Sequence, residues 1–273
     1  MPTGVQKAVI LARGLGTRMR RPDPHASVDN RQARMAETGM KGMIPIGRPF
    51  MDYLLSSLAD AGYREACLVI GPEHDAVREY YGRELKPSRI RIDFAVQEKP
   101  LGTADAVAAV ETFAVSDRFL VINSDNFYPP EVLQGLQKLE GPGLAGFELE
   151  SLVLQGNLAP ERVRTFPVLQ INDLGELVDL LEPGEPAVQA MAQSEIFVCM
   201  NCWLFGPLIF QACRAIAASP NGELELPVAV RFAARVLKER FRVLTFRKGV
   251  LDLSTRADIP TVARLLAGQE VNL

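Results

Sequence analysis

The residues of this chain that could do chemistry sit where apolar runs end in glycine or polar side chains. The first such place is Lys7-Ala-Val-Ile-Leu-Ala-Arg-Gly-Leu-Gly-Thr-Arg18. Ala8 to Ala12 suits a buried parallel strand, and Gly14 and Gly16 let the backbone turn sharply and approach a ligand without side-chain obstruction. With Arg18 beside it, this is a phosphate-handling arrangement. It is neither of two common phosphate motifs, because no Gly-Lys-Ser/Thr follows and Met19 stands where a dinucleotide fingerprint has its third glycine. The second place is Gln97-Glu-Lys-Pro-Leu-Gly-Thr-Ala-Asp-Ala106. Gln97, at a strand end, can offer a donor and an acceptor to a base edge, and Gly102 permits close backbone approach. Thr103 suits the N-cap of a helix through Val107 and Val110, and a plain strand-to-helix turn accounts for the same residues. The third place is Phe119-Leu-Val-Ile-Asn-Ser-Asp-Asn126, a buried strand whose polar residues arrive only at its end. Asp125 there suits a magnesium ion, and it equally suits a turn or cap before Pro129.

These groups need a scaffold that brings strand ends together. Met51, Leu54, Leu55 and Leu58 recur at helical spacing and predict a helix with one buried face, ended by Gly62. Strands are expected at Cys67 to Ile70 and Ile90 to Val96, with a helix at Glu73 to Tyr81 between them. This rhythm predicts an α/β fold, a Rossmann-like three-layer α/β/α sandwich with a predominantly parallel mixed sheet. Right-handed crossovers would put the ligand crevice along one edge, at the strand ends. The polar tract from Arg20 to Gly42 lacks sustained periodicity and reads as a mobile flap with a short helix near Arg31 to Glu37. Beyond Gly141 the pattern predicts a strand at Leu144 to Leu149 and a less regular insertion from Ser151 to Arg164. A hairpin follows, Phe166 to Ile171 and Glu176 to Leu181, turning at Asn172-Asp-Leu-Gly175. A long apolar strand at Ile196 to Phe205, a strand at Phe241 to Phe246 and a closing helix after Pro260 complete the chain.

Composition narrows the function. The 273 residues are 48% hydrophobic, enough for one large α/β domain, and 30 Lys and Arg against 33 Asp and Glu give a net charge of -3. That balance offers no general attraction to nucleic acid or an anionic membrane, so any anion site must be local. No signal-like segment or spanning apolar run is apparent, and a cytoplasmic protein is expected. Cys67, Cys199, Cys202 and Cys213 read as buried, reduced thiols. The Cys199-to-Cys202 spacing is a poor metal pair because residues three apart on a strand face opposite ways. His25 and His74 read as surface residues.

The opening stretch resembles the signature of the sugar-1-phosphate nucleotidyltransferases, a strand followed by Gly-Gly-x-Gly-Thr-Arg and a loop leading to a lysine. Gly14, Gly16, Thr17 and Arg18 match it, while Arg13 occupies the first glycine. Lys41, in Gly-Met-Lys-Gly-Met-Ile-Pro-Ile, matches the lysine, and Gln97 to Ala106 resembles the family's Gln-x(3)-Leu-Gly-Thr-Ala segment. Asp125 matches its Gly-Asp-Asn, with Ser124 for the glycine. Val250-Leu-Asp-Leu-Ser-Thr255 resembles its Asp-x-x-Thr element. Asn221-Gly-Glu-Leu-Glu-Leu-Pro227 resembles a segment of thymidylyltransferases acting on glucose 1-phosphate.

The resemblance implies a single nucleotidyltransferase domain, 1–273, with a nucleotide-binding half at 1–140 and a sugar-binding half at 141–273. It implies Arg18 and Lys41 as catalytic contacts to the triphosphate, Ala12, Gly14, Gly16, Thr17, Gln97, Gly102 and Thr103 on the nucleotide, and Asp125 and Asp252 on Mg2+. Glu182, Asn201, Glu223 and Glu225 would meet the sugar. A backbone-satisfied Asn201, and Glu223 and Glu225 at the positive end of a helix, are competing readings. The lysine that follows the family's glutamate is absent after Glu182, and Lys248 or an arginine of the flap is the expected substitute. The partners implied are a nucleoside triphosphate and a sugar 1-phosphate, with no nucleic acid or membrane, and a homo-oligomer left open. Transfer to an alcohol phosphate such as phosphocholine, or a non-catalytic sugar-nucleotide sensor, are the alternatives.

Overall fold

The computed structural model describes residues 4–182 and 195–273. Its strands in chain order are β1 (Lys7–Leu11), β2 (Pro45–Ile46), β3 (Arg48–Pro49), β4 (Glu65–Ile70), β5 (Arg91–Val96), β6 (Phe119–Asn123), β7 (Asn126–Phe127), β8 (Gly143–Glu148), β9 (Val168–Ile171), β10 (Leu177–Leu181), β11 (Phe197–Phe205), β12 (Arg242–Phe246) and β13 (Leu251–Asp252). Nine of them form one mixed sheet. β5, β4, β1 and β6 are parallel neighbours, with Leu11 level with Val69 and Asn123. β11 runs antiparallel to β6 and to β8, and β12 is parallel to β8. The hairpin of β9 and β10 joins through Val198 of β11.

Strand alternation sends Ala8 and Ile10 into one apolar cluster and Val9 into another, so helices cover both faces as the βαβ pattern requires. Leu54, Leu55 and Leu58 of the helix Phe50–Ala61 lie in the first cluster. Ala104 and Val107 of Thr103–Ala108 and Leu226, Ala229 and Val230 of Leu226–Arg235 lie in the second. Cys199 and Cys202 fall in opposite clusters, and all four cysteines are free and buried.

Helix Phe50–Ala61 departs from the expected one-faced pattern. Asp52, Ser56 and Ser57 are buried along with its leucines. The C-terminal residues and the Tyr80 and Tyr81 side chains cover the polar face, so the helix is enclosed. Asn272 donates its backbone N–H to Ser56 Oγ, and Arg48 donates to the Val271 carbonyl. Burial pushes the Asp52 carboxyl up, opposed by hydrogen bonds from Tyr81 (2.8 Å) and Tyr80 (3.0 Å) and an ion pair with Arg48 at 3.1 Å. A buried carboxylate needs such partners.

Other details also differ. The expected helix at Glu73 to Tyr81 is shorter, Asp75–Glu79, and continues as a wide turn through Tyr80–Glu84. His74 is buried, with its Nδ1 accepting from the Gly71 N–H, because the loop after β4 folds over it. The flap contains a helix, Asn30–Thr38, that begins in a reciprocal capping box between Asp29 and Gln32. Ala36 of that helix is buried in the first cluster, so this part of the tract is packed rather than a bare loop.

Glu239 lies half-buried, with Oε2 sealed off without a hydrogen-bond partner, and burial raises its carboxyl to about 7. Because the folded state then holds a proton that the unfolded chain releases near 4.5, stability falls as pH rises from about 4.5 to about 7. Glu239→Gln is expected to stabilise the protein by about 1 kcal/mol at pH 8, and by little at pH 4, in urea unfolding.

Candidate active site

β1, β5 and β6 all end on the same side of the sheet, and a cavity of about 390 Å³ opens there. Ala12, Gly14, Gly16, Thr17, Arg18, Lys41, Gln97, Gly102, Thr103, Asp125 and Glu223 line it. Residues distant in sequence meet because parallel strands deliver their carboxyl ends together. The turn after β1 is closed from outside: Gly16 has φ 60, and a Cβ there would lie 2.4 Å from the Gly39 carbonyl oxygen. Close packing against the end of the flap helix, rather than a ligand alone, requires this glycine. Arg18 is exposed, and among the described residues its guanidinium makes no hydrogen bond or ion pair.

Gln97 is buried and makes only part of the expected offer to a base. Its amide nitrogen donates to the Gly102 carbonyl (3.0 Å) and to Asp105 Oδ2 (2.7 Å). Both partners are acceptors, which fixes the amide orientation and consumes its donor side. Oε1 takes no hydrogen bond from the described residues and is not sealed off, so the group left for a ligand is an acceptor. Arg13 turns away from the glycine turn and over Gly71. Its Nε donates to the Gln97 carbonyl (3.1 Å) and Nη1 pairs with Glu73 at 2.8 Å. A Cβ on Gly71 would come 2.5 Å from Arg13 Nε, so the two positions are matched.

Thr103 does not cap its own helix. Gly102 occupies that N-cap, and the Thr103 hydroxyl accepts from the Leu226 N–H at the start of helix Leu226–Arg235. Leu224 completes the junction, donating to the Leu101 carbonyl and accepting from the Ala104 N–H. These bonds draw Glu223 to the rim of the cavity, while Glu225 becomes the residue preceding the helix.

The two aspartates 127 positions apart are brought together by the two-stranded ladder of β7 and β13, in which Asp252 pairs with Asn126. Lys41 Nζ lies 2.7 Å from Asp125 Oδ2. Asp252 is nearly enclosed, and burial together with the Asp125 charge raises its carboxyl to about 6. Opposing this, Arg162 Nη2 donates to Oδ1 at 2.7 Å and Asn126 donates to Oδ2 at 3.1 Å. Asn157 binds the Asp252 backbone from both directions. Among the described residues no group of three or more His, Cys, Asp or Glu side chains converges as a metal cage. Two hard carboxylates suit magnesium, which keeps waters and takes further oxygens from phosphate.

The remaining sugar-side candidates lie outside the cavity lining. Glu182 ends β10 with Arg231 at 3.6 Å, and the two residues after it lie outside the described residues. Asn201 has φ 53 at the irregularity where β11 changes partner, and its carbonyl accepts from Tyr128 while Oδ1 accepts from the Trp203 indole. Lys248 lies outside the cavity lining and pairs with Glu131 at 2.6 Å. Arg20, in the flap, donates to the Thr38 carbonyl. Asp105 and Arg162 were not singled out by the sequence. Asp105 sits one turn past the glycine and could have been found from its spacing to Gln97, whereas Arg162 lies in an irregular stretch with no motif.

Sheet and cleft together define an α/β protein with a glycine-lined cavity at the carboxyl ends of its parallel strands. Residues 7–199 match the sequence model of the Nucleotidyl transferase family, and the chain belongs to that family. Similar proteins include the low-salt glycan biosynthesis nucleotidyltransferase Agl11 of Haloferax volcanii, 26% identical over 82% of this chain and 56% of that protein. The UTP–glucose-1-phosphate uridylyltransferase AglF of the same organism is 25% identical, covering 84% of each. A glucose-1-phosphate thymidylyltransferase of Streptomyces griseus is 28% identical over 83% of this chain and 56% of the relative. The chain thus spans little more than half the length of two of these. A crystal structure of UDP-glucose pyrophosphorylase complexed with UDP-glucose superposes with a TM-score of 0.73 at 20% identity, over 97% of this chain and 100% of the other, which establishes the fold. Among the described residues no helix is long and apolar enough to cross a membrane.

Gly102 has φ 113, and a Cβ there would lie 2.5 Å from the Leu224 carbonyl oxygen. Gly102→Ala is therefore expected to destabilise the fold by about 1–3 kcal/mol in chemical denaturation, since both the backbone angle and the junction to Leu224 are lost.

Proposed function

We propose that this protein transfers a nucleoside monophosphate from a nucleoside triphosphate to a sugar 1-phosphate, releasing pyrophosphate. The observation that carries this reading is that Lys41 and Asp125 stand in a cavity lined by the glycine turn and Gln97, with the enclosed Asp252 beside Asp125. A phosphate oxygen of the sugar phosphate attacks the α-phosphorus, the bond from that phosphorus to the bridging oxygen breaks, and its electron pair leaves on pyrophosphate. The attacking oxygen is already ionised near neutral pH, so the protein needs no base and no covalent nucleophile. Its work is to position two anions and neutralise their charge.

In this reading residues 1–140 hold the nucleotide and 141–273 the sugar phosphate. Gly14 and Gly16 admit the phosphates, Arg18 and Lys41 contact them, and the Gln97 Oε1 accepts from the base. The cradle of Gly102, Thr103 and Leu224 keeps Glu223 at the rim, where its carboxylate can accept from sugar hydroxyls. Asp125 and Asp252 would hold magnesium, which when bound neutralises charge on phosphoryl oxygens. Lys41, now paired with Asp125, would contact the triphosphate beside that carboxylate. Both substrates are cytosolic solutes, which supports the cytoplasm as the place of reaction.

The test is pyrophosphate release with magnesium across the common nucleoside triphosphates, each paired with sugar 1-phosphates and with phosphocholine. Turnover with a sugar 1-phosphate is expected, and Asp125→Asn should lower kcat by about 10²–10³ with the thermal midpoint kept, the usual cost of removing one charge-stabilising group. Turnover with no pair, or an unaffected Asp125→Asn variant, would overturn the reaction or the role of Asp125 respectively.

A further inference from the structure

Of the cations lining the cavity, Arg13 is held by Glu73 and the Gln97 carbonyl, and Arg18 and Lys41 are assigned above to the triphosphate. The acceptor of the proposed transfer is itself a phosphate carrying close to two charges, and it must come up to a pair of carboxylates. Like charges a few ångströms apart in a partly enclosed cleft repel, so a bare approach would be opposed. Magnesium on the pair would offset part of this, and a cation on the Asp252 side would hold the acceptor phosphate directly.

The second half of the chain supplies one there. Arg162, on the short helix Pro160–Val163, places Nη2 2.7 Å from Asp252 Oδ1 and also donates to Ser254 Oγ. Its Nη1 lies 3.7 Å from Asp258 Oδ2, beyond hydrogen-bond reach, and the side chain is 19% exposed. One nitrogen of the fork is thus committed to the carboxylate while the other is loosely held. Other cations of this half are engaged elsewhere: Lys248 with Glu131, Arg247 with Glu148 and Glu195, Arg231 with Asp179, and Arg256 with the Met19 carbonyl. Among the described residues, Arg162 alone brings a cation from this half onto the aspartate pair.

We propose that Arg162 binds the phosphate of the acceptor, bridging it to Asp252 through the two nitrogens of one guanidinium. The proposal rests on the nucleotidyl-transfer reading above. A planar fork that holds a carboxylate with one arm and a phosphate with the other suits arginine and not lysine. It also explains why the charge of Arg162 is kept at a partly open position instead of being fully enclosed with Asp252.

The test compares wild type with Arg162→Ala and Arg162→Lys, measuring KM for α-D-glucose 1-phosphate and, separately, for UTP and dTTP. Mn2+ affinity is measured in parallel by electron paramagnetic resonance without substrate. Arg162→Ala should raise the sugar-phosphate KM about 10- to 100-fold, the loss of a charge-assisted hydrogen bond, with triphosphate KM and Mn2+ affinity within about threefold. Arg162→Lys should recover part of the loss. A KM for sugar phosphate that does not change, a parallel rise in both KM values, or a collapse in Mn2+ affinity would each overturn the proposal and leave Arg162 as a structural partner of Asp252. If Arg162→Ala does not fold, the lysine variant decides: an unchanged sugar-phosphate KM overturns the proposal, and a rise of about fivefold or more with unchanged triphosphate KM supports it. A wild type that turns over no pair sinks the nucleotidyl-transfer reading itself, a different outcome from an active enzyme indifferent to Arg162.

Discussion

A carboxylate removed from water must be compensated, and the arrangement of the whole site follows from compensating Asp252. It lies beside Asp125, whose charge raises its carboxyl further. Arg162, Asn126 and Asn157 converge on it from three separate segments. These contacts tie the ladder of β7 and β13 to the insertion before the β9–β10 hairpin. They also leave Asp125 facing the cavity with Lys41, so the compensated carboxylate and the accessible one form two ends of a single charged line. Removing Arg162 would leave a buried charge without its ion-pair partner, which costs more than the pair contributes when intact.

On the other wall of the cavity, side chains that look available in isolation are already engaged. Asp105 and the Gly102 carbonyl take both hydrogens of Gln97, leaving its oxygen. Arg13 is clamped between Glu73 and the Gln97 backbone and packs on Gly71. This wall is therefore preorganised by polar contacts that need no ligand, which lowers the ordering cost of binding one. The same economy appears at the junction of the Gly102 and Leu224 segments, where Leu101, Thr103 and Ala104 bond the backbone of Leu224 and Leu226. A glycine that reads as clearance for a ligand is equally clearance for another part of the chain.

How much was legible depended on whether the relevant physics is local. Strand and helix positions follow from apolar periodicity, so β1, β4, β5, β6 and the hairpin of β9 and β10 lie close to where the pattern puts them. The enclosure of Asp52 and His74 was not legible, because tertiary cover from the C-terminal residues and from Tyr80 and Tyr81 overrides their polar character. Asn201 read equally well as a ligand group or a satisfied core residue, and only the folded chain places it at the β11 irregularity with its Oδ1 on the Trp203 indole. Arg162 carried no signal, since its partner Asp252 is 90 positions away and no spacing rule connects them.

By itself the amino-acid sequence determined the α/β class, the order of the elements, the glycine turn after β1 and the carboxylates at the ends of apolar runs. Each of these is written in neighbouring residues, through side-chain periodicity and backbone freedom. Only the tertiary structure decided which groups share a cavity, which face of Gln97 remains open, and which cation stands beside Asp252. Most of those outcomes depend on pairings between segments far apart in the chain, and on the desolvation that comes with them, neither of which a local pattern encodes.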